Sequence, residues 1–130
     1  MCIRDSYYTD PTTSKPTWSN HWPGNAATDA VGFIIDDPYV VFEVQADAAM
    51  PVADLFGNFD IVDQSTVGDN TSGRSNVELD VTTGATTASL PLKAIGISTD
   101  PQNSDVATAN TNVLCLIQNH LYRQAQVGLA

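Results

Sequence analysis

The stretch VGFIIDDPYVVFEVQAD, residues 31–47, decides how this chain folds. Its opening run, Val31 to Ile35, is apolar and rich in β-branched side chains, and Asp36-Asp37-Pro38 closes it. That is the pattern of a strand running into a turn. Beyond the proline, Val40, Phe42, Val44 and Ala46 alternate with Val41, Glu43, Gln45 and Asp47. This two-residue period belongs to a strand with one dry face and one wet face. The four acids therefore read as architecture. Glu43 and Asp47 fall on the wet face, and Asp36 and Asp37 are placed to bond nearby backbone amides and shape a turn. A catalytic carboxylate pair needs a cleft and at least one acid with a raised pKa, and no apolar pocket around a single acid is written here.

Outward from this stretch the same pattern continues. AAMPVADLFGNFDIV carries one helical turn, with Pro51 at its start and Gly57 at its end, followed by a short strand from Asn58 to Val62. A polar loop, DQSTVGDNTSGRS, leads to the alternating run Val77 to Thr82, and Gly84 marks the expected turn after it. In TTASLPLKAIGI the apolar set Ala88, Leu90, Leu92 slips phase to Ile95 and Ile97. The slip predicts a bulge near Lys93-Ala94, and Pro91 suggests an edge strand. Residues 113–117, VLCLI, read as a strand buried on both faces, although Val113, Leu116, Ile117 and Leu121 also fall at helical spacing. Phe42, Val44, Leu79, Leu90 and Ile117 are the expected core.

Composition agrees with an all-β chain. Thirteen of the fifteen acids are Asp, a turn former, and only Glu43 and Glu78 are Glu. The 130 residues suffice for one domain with a core of its own, folding alone or with copies of itself. The expected fold is a small single-domain β-barrel or sandwich over residues 31–130, with one short helical turn. Residues 7–30, rich in Pro, Ser, Thr and Asn and interrupted by the turn signal Pro23-Gly24, are expected to form an extended N-terminal arm or loop.

The formal net charge of −10 sets any approach to a phosphate backbone against repulsion, so nucleic acid is not an expected partner. No apolar run approaches the roughly 18 residues of a membrane-spanning helix, and no membrane partner is expected. Two cysteines, Cys2 and Cys115, exclude a disulfide scaffold and a cysteine-rich zinc site. His21 and His120 stand alone in sequence, without ligand spacing. Asp60, Asp63 and Asp69, or Asp100 and Asp105, lack the spacing and glycine of a calcium loop. Gly68, Gly73 and Arg74 lack the lysine and helix of a phosphate loop. Asn70-Thr71-Ser72 matches a glycosylation acceptor, a pattern of little specificity. Cys115, inside an apolar strand, is a small hydrophobe rather than a nucleophile. No metal, cofactor or catalytic residue is expected. Trp18, Trp22 and Tyr39 remain as candidate docking or binding residues, either packed on the domain or free to stack.

Taken in order, WSNHWPGNAATDAVGFIIDDPYVVFEVQAD, DLFGNFDIV, GRSNVELD, ASLPLKAIGISTDPQN and NVLCLIQNH resemble small structural proteins of tailed bacteriophage particles, particularly those of marine viral sequence. The resemblance spans roughly residues 18–120, and DDP followed by VFEVQAD is its most specific portion. The chain departs from the pattern after Asn103, where SDVATANT stands. The resemblance implies a compact β-barrel subunit in the virion, decorating or stabilising the head from outside, with capsid or other virion proteins as partners, no activity and no cofactor. Residues 1–6, MCIRDS, look like a translated adapter remnant of assembled metagenomic reads, so a non-native Cys2 and a native start further upstream are expected. The alternative function is a sugar-binding or adhesive β-module that uses Trp18, Trp22 and Tyr39 as a stacking platform.

Overall fold

The computed structural model describes residues 3–23, 26–63, 68 and 75–129, and for 3–5 the backbone alone. The chain is all-β, with eight strands and a single 3-10 turn among the described residues. It divides into two units, Met1–Asp36 with Val67–Ser75, and Asp37–Thr66 with Asn76–Ala130.

The first unit is a three-stranded antiparallel sheet made of β1 (Ile3–Thr9), β2 (Pro16–Ser19) and β3 (Val31–Ile34), in the order β2-β1-β3. The strand expected from Val31 is β3. The arm expected over residues 7–30 is corrected, because its polar segments pair as a hairpin. Asp10 makes the hairpin possible: its Oδ1 accepts from the Thr12 N–H at 2.8 Å and the Thr13 N–H at 3.3 Å, and Ser14 turns into the left-handed region at φ 55°. Backbone pairing supplies the order that the apolar pattern did not announce. The same pairing carries β1 back into residues 3–6, which had no strand pattern in sequence. Val31–Ile34 also belongs to this unit rather than to the larger domain beginning at 31.

The second unit is a five-stranded antiparallel sheet of β4 (Val41–Gln45), β5 (Asn58–Val62), β6 (Glu78–Ala85), β7 (Leu92–Ile97) and β8 (Asn112–Ile117), in the order β4-β8-β7-β5-β6. Its two outer strands meet. Ala46 bridges Leu79 in parallel, the Asp47 N–H donates to the Leu79 carbonyl at 3.0 Å, and the Val81 N–H donates to Asp47 Oδ1 at 3.0 Å. The sheet thereby curls into a partly closed barrel, a shape that leaves less free edge. Asp47 is thus half-buried and bonded, not solvent-facing as the alternation alone suggests. Glu43 is exposed as expected, accepting from Asn112 Nδ2 at 2.8 Å.

Inside the curl lie Ala46, Met50, Phe59, Leu79, Leu92, Ala94, Val113 and Cys115, with Val44, Leu55, Ile61, Val81 and Ile97 packed against them. Leu79 and Val44 were expected there. Phe42, Leu90 and Ile117 were too, but they are only half-buried and stand outside the cluster. Phe59 is the largest fully buried side chain. It explains why the chain does not turn at Gly84: a Cβ there would stand 2.8 Å from Phe59 Cε1, so glycine lets β6 run on over the ring to Ala85. Opposite the ring the β5–β6 register shifts, and the Thr83 hydroxyl takes the Asp60 N–H at 2.8 Å. The bulge predicted in β7 lies between Ala94 and Gly96. Pro91 is not on an edge. It precedes β7, an inner strand, where its missing N–H costs the ladder nothing and its carbonyl accepts from Gln118 N–H. Residues 113–117 form a strand, since β8 is flanked by β4 and β7 and draws hydrogen bonds from both.

Candidate functional site

Strand pairing in the first unit assembles an aromatic face. Tyr7 of β1 lies opposite Trp18 of β2 and opposite Val31 of β3, so all three project from one side of the sheet, and Phe33, two residues beyond Val31, joins them. The Tyr7 and Trp18 rings stand 5.1 Å apart at 55°. Trp18 also reaches across the central strand to stack on Phe33, with centroids 5.6 Å apart and planes 24° from parallel. Such cross-strand pairs strengthen a sheet. Yet Trp18 remains 64 % exposed, and Tyr7, Val31, Phe33, Ile34 and Ile35 are exposed with it. On the other side Ser6 is fully buried, its hydroxyl donating to the His21 carbonyl at 2.8 Å.

Of the three residues singled out in sequence, Trp18 is the centre of this face. Trp22 is in the same unit and 46 % exposed. Tyr39 is 74 % exposed but belongs to the other unit, in the turn where its N–H donates to Asp37 Oδ1 at 2.8 Å. That bond is the turn role expected of Asp37. Sequence reasoning missed Tyr7 and Phe33, because three aromatic residues far apart in the chain become neighbours only once the strand register is known.

The other candidates are accounted for by local bonds. His21 Nδ1 lies 2.8 Å from Asn20 Oδ1 and 3.2 Å from Ser19 Oγ. His120 Nδ1 takes the Tyr122 N–H at 3.1 Å. Asp100 and Asp105 each accept a backbone N–H two residues on, from Gln102 and Ala107, as turn formers do. Among the described residues no three His, Cys, Asp or Glu side chains gather to hold a metal ion. Cys115 is buried and free, and loss of water pushes its thiol up to about 12, well away from a reactive thiolate. Cys2, Gly24, Asp69, Asn70-Thr71-Ser72, Gly73 and Arg74 lie outside the described residues. A pocket of about 200 Å³ between Asp54, Gly57, Phe59, Gly84 and Leu129 is smaller than ordinary small-molecule sites and contains no convergent catalytic groups.

What the described residues of the first unit display is an aromatic and apolar sheet face on an acidic chain. Comparison with protein-family models, curated proteins and solved structures finds no match for this chain.

Proposed function

We propose that this chain is a non-enzymatic structural subunit of a tailed-bacteriophage particle, docking on the exterior of the head through the face built by Tyr7, Trp18, Val31 and Phe33. The observation that carries the reading is the exposure of that face: four apolar side chains aligned across three strands, in a unit whose buried described residues are only Ser6 and Ala27. Contiguous apolar surface of this kind is stabilised by being covered. The particle itself comes from the sequence resemblance, and the net charge of −10 favours the hydrated outer side of a shell over packed DNA. An apolar contact also resists salt, unlike charge pairs at a rim.

The test is rebinding of the purified protein to particles stripped of it. Binding should persist at moderately high salt, and Trp18→Ala or Phe33→Ala should weaken it at least tenfold while the unfolding transition of the five-stranded sheet stays in place. Tight duplex-DNA binding at low salt, or absence of the protein from purified particles by mass spectrometry, would overturn the reading. A second reading, a sugar-binding module, is favoured by one feature, the near-parallel Trp18 and Phe33 rings beside exposed surface. Saturable quenching of Trp18 fluorescence by a free oligosaccharide, lost in Trp18→Ala, would select it instead.

A further inference from the structure

The chain has two histidines, His21 and His120, and their rings are used in opposite ways. His120 opens the turn that follows β8. Its carbonyl accepts the Arg123 N–H at 3.2 Å, and its Nδ1 accepts the Tyr122 N–H at 3.1 Å. A backbone N–H can only donate, so this Nδ1 offers a lone pair and the proton of the neutral ring sits on Nε2. His21 Nδ1 stands 2.8 Å from Asn20 Oδ1. An amide oxygen can only accept, so this Nδ1 carries the proton. A second proton therefore acts differently in the two places. At His21 it goes to Nε2 and leaves the Nδ1 bond intact. At His120 it must go to Nδ1, where it meets the Tyr122 N–H, donor against donor.

What depends on the His120 turn is the clasp made by its last residue. Arg123 Nη1 donates to the Pro38 carbonyl at 3.3 Å, and Nη2 donates to Gln118 Oε1 at 3.0 Å. The guanidinium thus ties the end of β8 to the segment before β4, where the exposed Tyr39 follows Pro38. The charged groups on the elements that meet this turn are Arg123 on the turn itself and Asp37, with Asp36 before it in sequence, on the segment that Arg123 reaches. Residues 86–91, reached by Asn119 Nδ2 through the Ser89 carbonyl, carry no charge. The phenols are those of Tyr39 and of Tyr122, whose ring stands 5.8 Å from that of His120. An imidazolium at 120 would place a second positive charge on the turn that carries Arg123, so repulsion adds to the lost acceptor.

We propose that His120 is a pH-sensitive latch: neutral, it accepts the Tyr122 N–H and holds the turn that aims Arg123 at Pro38; protonated, it opens that turn and releases the clasp. Histidine is the side chain whose charge ordinarily changes between about pH 5 and 8, so mild acid is the switching agent. The segment it frees is the one that presents Tyr39. The three-stranded sheet does not switch with it, because the Nδ1 bond of His21 survives in either state. The latch lies in the five-stranded unit and does not rest on the aromatic face.

An NMR titration of the full chain from about pH 8 to 5 tests the latch. The Tyr122 amide and the Arg123 side-chain resonances should follow the His120 ring along one curve, and cross-peaks from the Arg123 side chain to Pro38 and Tyr39 should be lost as that curve completes. Cross-peaks between His21 and Asn20 should stay. His120→Asn is the second arm. Its side-chain oxygen can accept an N–H two residues on at every pH, as the carboxylates of Asp100 and Asp105 do, so in this variant the Arg123 cross-peaks should persist throughout. Four results would overturn the proposal: a His120 ring that takes up a proton while Tyr122 and Arg123 stay unmoved, a ring that takes up none down to about pH 5, a clasp already open at the neutral end, or equal loss of the cross-peaks in His120→Asn.

Discussion

The two sheets of this chain are built from the same strands-and-turns vocabulary and reach opposite solutions. The five-stranded sheet curls until its outer strands meet, and among the described residues encloses eight buried apolar or sulfur-bearing ones, Phe59 the largest of them. In the unit of the three-stranded sheet only Ser6 and Ala27 are buried among the described residues, and its largest described ring, Trp18, is 64 % exposed. A sheet of three strands has too little surface to roll around a core, so its cohesion rests on backbone pairing, turn bonds and cross-strand rings. The difference teaches where selection for contact can act. Phe59, inside the curl, is committed to stability, whereas Tyr7, Trp18 and Phe33 on the small sheet keep much of their surface exposed.

The sharpest way to break this comparison is to remove the largest side chain from the enclosed side. Phe59→Ala combines lost transfer energy with a cavity beneath Gly84, and should cost about 3–5 kcal/mol in denaturant titrations followed in the five-stranded sheet. Phe42→Ala, half-buried and outside the cluster, should cost clearly less. Equal losses would mean that the core is centred elsewhere.

Alkaline pH probes the same enclosure. In the unfolded chain the Cys115 thiol releases its proton near its ordinary value of 9.0, whereas burial keeps it protonated in the folded protein up to about 12. Above the unfolded value the unfolded state therefore binds fewer protons, and stability falls as pH rises from 9 towards 12, by up to about 1.4 kcal/mol per pH unit. Cys115→Ala should flatten that part of the profile. In the native protein at pH 8 the thiol should ignore a disulfide reagent that reacts with it at once after unfolding. Fast labelling of the folded protein would show that the barrel is open to solvent at β8.

Much of the enclosed half was legible in sequence, and the reasons are local. Residues 40–47 announced β4 by alternation, residues 58–62 announced β5 with its bounds, and the phase slip before Ile95 announced the bulge. What was hidden depended on partners. Gly84 looks like a turn until Phe59 is placed beneath it, and Asp47 looks wet until β6 arrives to donate an N–H. The open half was less legible still. Residues 3–9 and 16–19 carry no sustained apolar period, and the one described side chain buried in these strands, Ser6, is polar. Trp18 stood out by residue type, but its companions Tyr7 and Phe33 needed the register that places them beside it.

The open side should respond more weakly to losing its largest ring. Trp18→Ala removes two ring contacts from a surface already wet, and the three-stranded sheet should lose about 0.5–1.5 kcal/mol, the usual worth of aromatic pairs. Thermal melting followed at residues of β1 and β3 would measure it. A loss matching that of Phe59→Ala would mean that Trp18 is the hub of a second core, and the contrast between enclosed and displayed aromatics would fail.

The smallest effect concerns two carboxylates on the open side, Asp10 in the β1–β2 turn and Asp29, which reaches back to β1. The Thr12 backbone N–H, followed by the Thr13 side chain, holds the Asp10 carboxyl below its ordinary value of 3.8, and the Thr9 side chain, followed by the Thr9 backbone N–H, lowers Asp29, whose two oxygens receive that N–H at 3.1 and 3.2 Å. In both cases hydrogen bonds favour the charged form in the folded state. Their contribution is therefore fully present above pH 3.8 and is lost as pH falls through the depressed folded values. Both carboxylates are exposed, so water screens them and the stabilisation is small. The measurement is an NMR titration: the amide resonances of Thr9 and Thr12 should move together with the Asp29 and Asp10 carboxyl signals, at a pH below the ordinary aspartate range. Asp29→Asn should abolish the acid-dependent movement at Thr9 and leave that at Thr12. Carboxyls that titrate at or above 3.8, or amides that do not follow them, would show that the small sheet is held by its strand ladder and rings without help from these carboxylates.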